Sequence, residues 1–221
     1  MNNQPIHSGD CEFCDEFAGA SANSFAAHYA NELKSRIVLK EENFLVLPSL
    51  GQIVPGYLLL VPSCHYKALG DMSLEHLTAM EALKTRLANK LRSSYGEYLF
   101  FEHGARTPDS GGCGISHAHL HLVPFPAEKD PVEELIQRFL FERVSNLSEL
   151  KKIHPGKSYL YYESVHGEKY VFYPEFIPSQ FVRRLLAEAV GVLEWDWRQC
   201  GREAELLNTL ANTRRLLANL P

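Results

Sequence analysis

His117, His119 and His121 alternate with Ala118, Leu120 and Leu122, so on a strand the three imidazoles share one face and the apolar side chains the other. An imidazole with its ordinary pKa near 6.5 keeps a free lone pair on much of its population near neutral pH, which suits a nucleophile, a base or a metal ligand. A face of metal ligands and an inert polar strand edge are the other readings of the same pattern. Just upstream stand Gly111, Gly112, Cys113 and Gly114. Glycines let backbone N–H groups close on a phosphate, and a plain turn is the alternative. Arg106, in the same loop, could meet a distal phosphate, and Glu102-His103-Gly104 could bring a polar group to a pocket or simply end a strand in solvent. Cys11 and Cys14 have the spacing of half a tetrahedral zinc site, or are a pair of buried thiols.

The elements that must carry these residues are legible from punctuation and periodicity. Strands are expected at Arg36 to Lys40, Phe44 to Pro48, Tyr57 to Val61, Glu97 to Glu102 and Ser116 to Phe125, with a hairpin around His166-Gly167. Leu74, Leu77, Met80, Leu83, Leu87 and Leu91 recur at helical spacing behind Ser73, a capping residue, and Gly96 stops the run. Further helices are expected at about 23 to 33, from Asp130-Pro131 to about Val144, behind Ser179 to about Val190, and from Arg202 to Leu220. The fold class is therefore α+β with a mostly antiparallel sheet and flanking helices. A domain boundary is expected near Lys129, giving 1–129 as one unit and 130–221 as a C-terminal α/β extension of unknown role.

At 221 residues, 45% hydrophobic and 22% charged, the chain can bury a core and is neither disordered nor low in complexity. Its 22 Lys and Arg against 27 Asp and Glu give a net charge of −5, with the excess of acid in the first 130 residues. Extended nucleic-acid binding, which draws on clustered cations, is not expected, whereas a small anionic ligand is compatible with this balance. The longest apolar run, Tyr57 to Val61, is far below the roughly 20 residues of a bilayer span. With no basic and apolar leader at the start, a cytoplasmic location and no membrane partner are expected. Five cysteines, an odd number, favour reduced thiols or metal over disulfides.

The run His117-Ala118-His119-Leu120-His121-Leu122-Val123 is a complete match to His-φ-His-φ-His-φ-φ, φ being apolar, and on it the chain resembles the histidine triad superfamily. Phe44 to Pro48, then Pro55 to Pro62 with His65, look like that family's strand pair and following turn, and the likeness covers about residues 10 to 126. The resemblance implies a small nucleotide-binding fold, a histidine-triad-like domain, in which the central histidine attacks the α-phosphorus of a nucleotide. His119 is then the nucleophile, its other ring nitrogen needing an acceptor such as a backbone carbonyl, and His121 donates to a phosphate oxygen. A third histidine, where the uridylyltransferase branch has glutamine, leans toward hydrolysis. Zinc-containing members pair an N-terminal Cys-x-x-Cys with a histidine after the Val-Pro turn and the first triad histidine, which here are Cys11, Cys14, His65 and His117. The implied cofactor is structural zinc. Cys64, beside His65, is expected to be a core thiol.

Two positions depart from the family pattern. Ser49 stands where many members have an aspartate for the ribose hydroxyls, and Gly112-Cys113-Gly114 replaces Gly-Gln-Ser or Gly-Gln-Thr, so the usual hydroxyl beside the leaving group is missing at Gly114. The expected substrate contacts are Ser49, Gly112, Cys113, Gly114 and Arg106. The expected activity is hydrolysis of a nucleotide phosphoanhydride, a dinucleoside polyphosphate or nucleotide sugar, through a nucleotidyl-histidine intermediate. Nucleotidyl transfer, phosphorolysis and a catalytically weak nucleotide-binding scaffold are the alternatives. Expected partners are a small-molecule nucleotide, with a homodimer left open. A serine at 114 is expected to raise activity on nucleoside phosphoramidates, whose amine must be protonated to leave.

Overall fold

The computed structural model describes residues 11–21, 23–29, 33–105, 114–153 and 156–218. Eight strands form one sheet: β1 (Leu39–Glu41), β2 (Phe44–Pro48), β3 (Leu58–Pro62), β4 (Tyr98–Gly104), β5 (Leu120–Pro124), β6 (Phe141–Arg143), β7 (Tyr159–Glu163) and β8 (Lys169–Phe172). Their spatial order is β1-β2-β3-β5-β4-β7-β8-β6, and each neighbouring pair is antiparallel. Six α-helices flank it: α1 (Glu12–Ala18), α2 (Ser24–Tyr29), α3 (Leu74–Tyr95), α4 (Val132–Arg138), α5 (Phe181–Val190) and α6 (Glu203–Leu217). The chain is α+β with an antiparallel sheet, as its punctuation and periodicity predict.

Alternation along the strands splits the core into two layers. Leu45, Leu47, Leu59, Val61, Leu99, Phe101, Val123, Leu160 and Tyr162 face a cluster that includes Phe13 of α1, Leu135 of α4 and Phe181, Val182 and Leu186 of α5. The intervening Phe44, Val46, Leu58, Leu60, Phe100, Leu120, Leu122 and Tyr161 meet Leu77, Met80, Leu83, Leu87 and Leu91 of α3 on the other side. Burying a side chain of this size contributes about 1.5–3 kcal/mol, so this stripe holds α3 to the sheet. Ser73 caps α3 by accepting from the His76 N–H at 3.1 Å, and the chain leaves the helix through Gly96 at φ +90°.

Local differences from the sequence expectation have local causes. α1 is a helix that the two cysteines alone did not announce; it is only seven residues long and ends at Gly19, whose N–H reaches the Glu16 carbonyl at φ +74°. The helix after Pro131 stops at Arg138 instead of running to Val144, because residues 141–143 pair with β8 as an edge strand. Asp130 does reach the first turn, accepting from Val132 N–H at 3.0 Å. The strand carrying the triad begins at Leu120, not Ser116, so His117 and His119 lie ahead of its ladder, in a stretch that bends at Ser116 and His117. Gln180, not Ser179, precedes α5, in a left-handed conformation.

The sheet runs continuously through the expected boundary near Lys129, since β4 pairs with β7 from Phe100↔Glu163 to Gly104↔Tyr159. A buried ion pair reinforces that seam: Lys84 of α3 donates to Glu163 of β7 and, at 2.7 Å, to Glu81, while Tyr161 O–H donates to Glu163 at 2.9 Å. Lys84 is 2% exposed. Removing Lys84 leaves the buried Glu163 with only Lys169, 3.5 Å away, as a counter-charge, so Lys84→Met is expected to cost about 2 kcal/mol. Lys84→Met with Glu163→Leu should recover much of that loss. Urea unfolding of the native chain and both variants measures it; an unchanged midpoint in Lys84→Met would show that the pair adds nothing to the seam.

Candidate functional site

Four side chains from three parts of the chain meet at one end of β3. Cys11 and Cys14 come from the start of α1, His65 from the turn after β3, and His117 from the approach to β5. Their ligand atoms all lie within 4.8 Å of one another. Cys11 Sγ and Cys14 Sγ stand 3.4 and 3.6 Å from His117 Nδ1, and Cys14 Sγ 3.4 Å from His65 Nδ1. A tetrahedral zinc with bonds of about 2.0–2.3 Å spaces its donors by about 3.3–3.8 Å, so the separations fit such an ion. His117 Nε2–H donates to the Pro62 carbonyl at 2.9 Å, which leaves the Nδ1 lone pair turned to the cysteines. Burial, reinforced by His65 and His119, pushes the His117 pKa down to about 4, so the ring is neutral as a ligand must be. Burial and the neighbouring Cys11 push the Cys14 thiol up to about 12, so an incoming cation displaces a proton there. These four residues could hold a metal ion. Cys64 is half-buried and is not among them, rather than sitting in the core.

Two residues on, His119 Nδ1–H donates to the carbonyl of His117 at 2.5 Å. That bond fixes the tautomer and leaves Nε2 with its lone pair on a ring that lines a cleft. Phe13 packs edge-on against both His117 and His119, at 5.7 and 5.2 Å between centroids. Burial holds the His119 pKa below its ordinary value, against the opposing pull of the His117 carbonyl and Glu102.

His121 stacks on Phe101 at 4.0 Å between centroids, the residue paired with it across β4 and β5. Its Nδ1 is 2.6 Å from the Tyr57 hydroxyl. The phenol O–H donates to His121 Nδ1 in the tautomer that puts the neutral ring's own proton on Nε2, a buried atom with no hydrogen-bond partner among the described residues. Burial, with His119, His103 and Arg183 nearby, holds the His121 pKa well below the usual value. His103, on the same face of β4, is also buried and has both ring nitrogens unpartnered. Burying polar atoms without partners costs free energy, and their convergence on one cleft gives it free polar groups that could meet a polar ligand.

The walls of the cleft come from both halves of the chain: Phe13, Ser49, Leu59, Phe101, Ile115 and the histidines on one side, Gln180, Arg183 and Trp197 on the other. Ser49, a predicted substrate contact, is buried there and accepts from Arg183 Nη1–H at 3.2 Å. Arg183 also donates to Leu50 O at 3.1 Å, to Gly51 O and to Trp195 O, so it ties α5 and the following loop to the end of β2. In the sequence Gln180 to Arg184 stands out as an aromatic and basic run, and Phe181, Val182 and Leu185 favour a packing helix; the structure also sets its Arg183 into the cleft wall. Gly114 lies beside this loop, at φ +79°, with the Arg198 guanidinium against its Cα face. Arg106, Gly112 and Cys113 fall outside the described residues.

No protein-family model matches the chain. It is 26% identical over 182 residues to CWF19-like protein 1 of Xenopus laevis, a stretch covering 76% of this chain and 32% of that protein. The chain thus spans about a third of the length of the curated relatives it matches. Among solved structures, a hypothetical histidine triad nucleotide-binding protein from Sulfolobus tokodaii strain7 shares 19% identity, with 52% of this chain and 68% of that one covered, at a TM-score of 0.39. A Zn-bound histidine triad family protein from Mycobacterium smegmatis shares 23%, covering 53% and 76%, at a TM-score of 0.37. Among the described residues no helix is long and apolar enough to cross a membrane. By its complete His117-to-Val123 signature the chain resembles the histidine triad superfamily, and histidine triad proteins stand among the solved structures similar to it.

Proposed function

We propose that the chain hydrolyses a nucleotide phosphoanhydride through a nucleotidyl-His119 intermediate. The observation that carries this reading is the hydrogen bond from His119 Nδ1–H to the His117 carbonyl, which turns the Nε2 lone pair of a buried ring into a cleft. Nε2 attacks the α-phosphorus, the bond to the bridging oxygen breaks, and the leaving phosphate departs with the electron pair. Water then attacks phosphorus, the N–P bond breaks, the water's proton passes to solvent, and Nε2 recovers its lone pair. His121 Nε2–H meets a non-bridging oxygen as charge builds on it, its ring held by Phe101 and Tyr57. The unpartnered nitrogens of His103 suit further phosphate oxygens.

Zinc is proposed at Cys11, Cys14, His65 and His117. Four protein donors leave no open position, so its contribution is structural: it fixes His117, whose carbonyl in turn orients His119. The nucleotide is proposed as the small-molecule partner.

His119→Ala should lower turnover by about three orders of magnitude or more while nucleotide affinity stays within a few-fold, because the attacking atom is lost and the walls remain. The measurement is a panel of dinucleoside polyphosphates and nucleotide sugars, assayed with and without inorganic phosphate, with acid-free quench and mass analysis for nucleotide added at His119. Near-native turnover by His119→Ala removes the covalent route. Product formation that requires phosphate makes the chain a phosphorylase, and binding without an adduct makes it a scaffold. The purified protein should carry about one zinc per chain, and Cys11→Ser with Cys14→Ser should lose it together with several degrees of thermal stability. Metal analysis showing none in protein never exposed to chelator refutes the site.

A further inference from the structure

We infer that Arg198, carried by the loop between α5 and α6, contacts the leaving phosphate and so selects substrates whose leaving group is anionic. The inference rests on the proposed attack by His119. Gly114 and Arg198 meet beside the cleft, next to Ile115 and Trp197, which line it. The approach is so close that a Cβ added at Gly114 would stand 1.7 Å from Arg198 Nη2. The positive φ favours glycine there, and a side chain at 114 would push the Arg198 guanidinium aside. A serine at 114 would therefore bring its hydroxyl only by displacing Arg198, so the expected gain on phosphoramidates would come with the loss of this cation.

The guanidinium is held but its charge is available. It lies over the Trp197 ring, 4.7 Å from the centroid. The turn beneath it is anchored by Asp196, which accepts from Gln180 Nε2–H at 2.8 Å and from the Arg198 backbone N–H at 3.0 Å, and by Trp197 N–H donating to Gln180 Oε1 at 3.4 Å. Among the described residues no carboxylate sits within ion-pair distance of the Arg198 guanidinium, and the residue is exposed. A positioned cation without a carboxylate partner, beside the residues leading to the nucleophile, suits an oxyanion that gains charge as its P–O bond breaks. Guanidinium stays protonated in proteins, so it stabilises a departing phosphate and gives no proton to a departing amine.

The test compares kcat/KM for diadenosine tetraphosphate and adenosine 5′-phosphoramidate in the native chain, Arg198→Gln and Arg198→Lys. Losing one charge-assisted contact should lower the tetraphosphate value about 10- to 100-fold in Arg198→Gln, with the phosphoramidate value within about threefold and Arg198→Lys intermediate. In a His119→Ala background, Arg198→Gln should weaken ATP binding about tenfold and leave AMP binding within about twofold, read by calorimetry. Equal losses on both substrates, or none on the tetraphosphate, overturn the role of Arg198 and leave the proposed function standing. If the native chain turns over neither probe and no adduct forms at His119 with any nucleotide of the panel, the proposed function and this inference fall together.

Discussion

His117 is the residue on which the site depends, because it faces two ways. Its imidazole gives its Nε2 proton to the Pro62 carbonyl and turns Nδ1 to the cysteines, while its own carbonyl takes the Nδ1 proton of His119. The cluster at one end of β3 and the ring that lines the cleft are therefore joined through one peptide unit. Any rotation of His117 changes the direction in which the next-but-one ring presents its lone pair. The alternation of the triad supplies the rest, since it puts Ala118, Leu120 and Leu122 into the α3 layer and leaves the imidazoles on the opposite face.

The other half of the site is built by residues that come late in the chain. Arg183 spends a buried cation on carbonyls of residues 50, 51 and 195 and on the hydroxyl of Ser49, and lies over the Tyr57 ring. Leaving such a charge among neutral acceptors is costly, which burial shows by lowering the Arg183 pKa, so the surrounding oxygens must stay in place for it. A side chain of α5 thus closes one wall of the cleft that His119 and His121 line.

Much of the first layer was legible in the sequence because it obeys short periods. The strand faces follow a period of two, and α3 follows apolar spacing behind a serine cap and a closing glycine. Those rules act within a few residues, and the structure keeps them. What was not legible depends on distant partners. Residues 141–143 become strand only because β8 offers a free edge, and α1 is helix where Cys11 and Cys14 gave only their spacing. Arg183 reads as one more residue of an amphipathic helix until β2 is placed against it. The missing hydroxyl at Gly114 reads as a loss until Arg198 is seen in its space.

The long separations between paired residues have a consequence for how the site comes into being. Cys11 and His117 are 106 residues apart, and Arg183 and Ser49 are 134 apart. Closing such loops costs entropy before any contact repays it, so chains rich in them order their local hairpins and helices first. Each half of the cleft must wait for the other end of the polypeptide. A growing chain emerging from the ribosome would hold the triad strand long before it held Arg183, so the cleft is completed only when synthesis has passed α5.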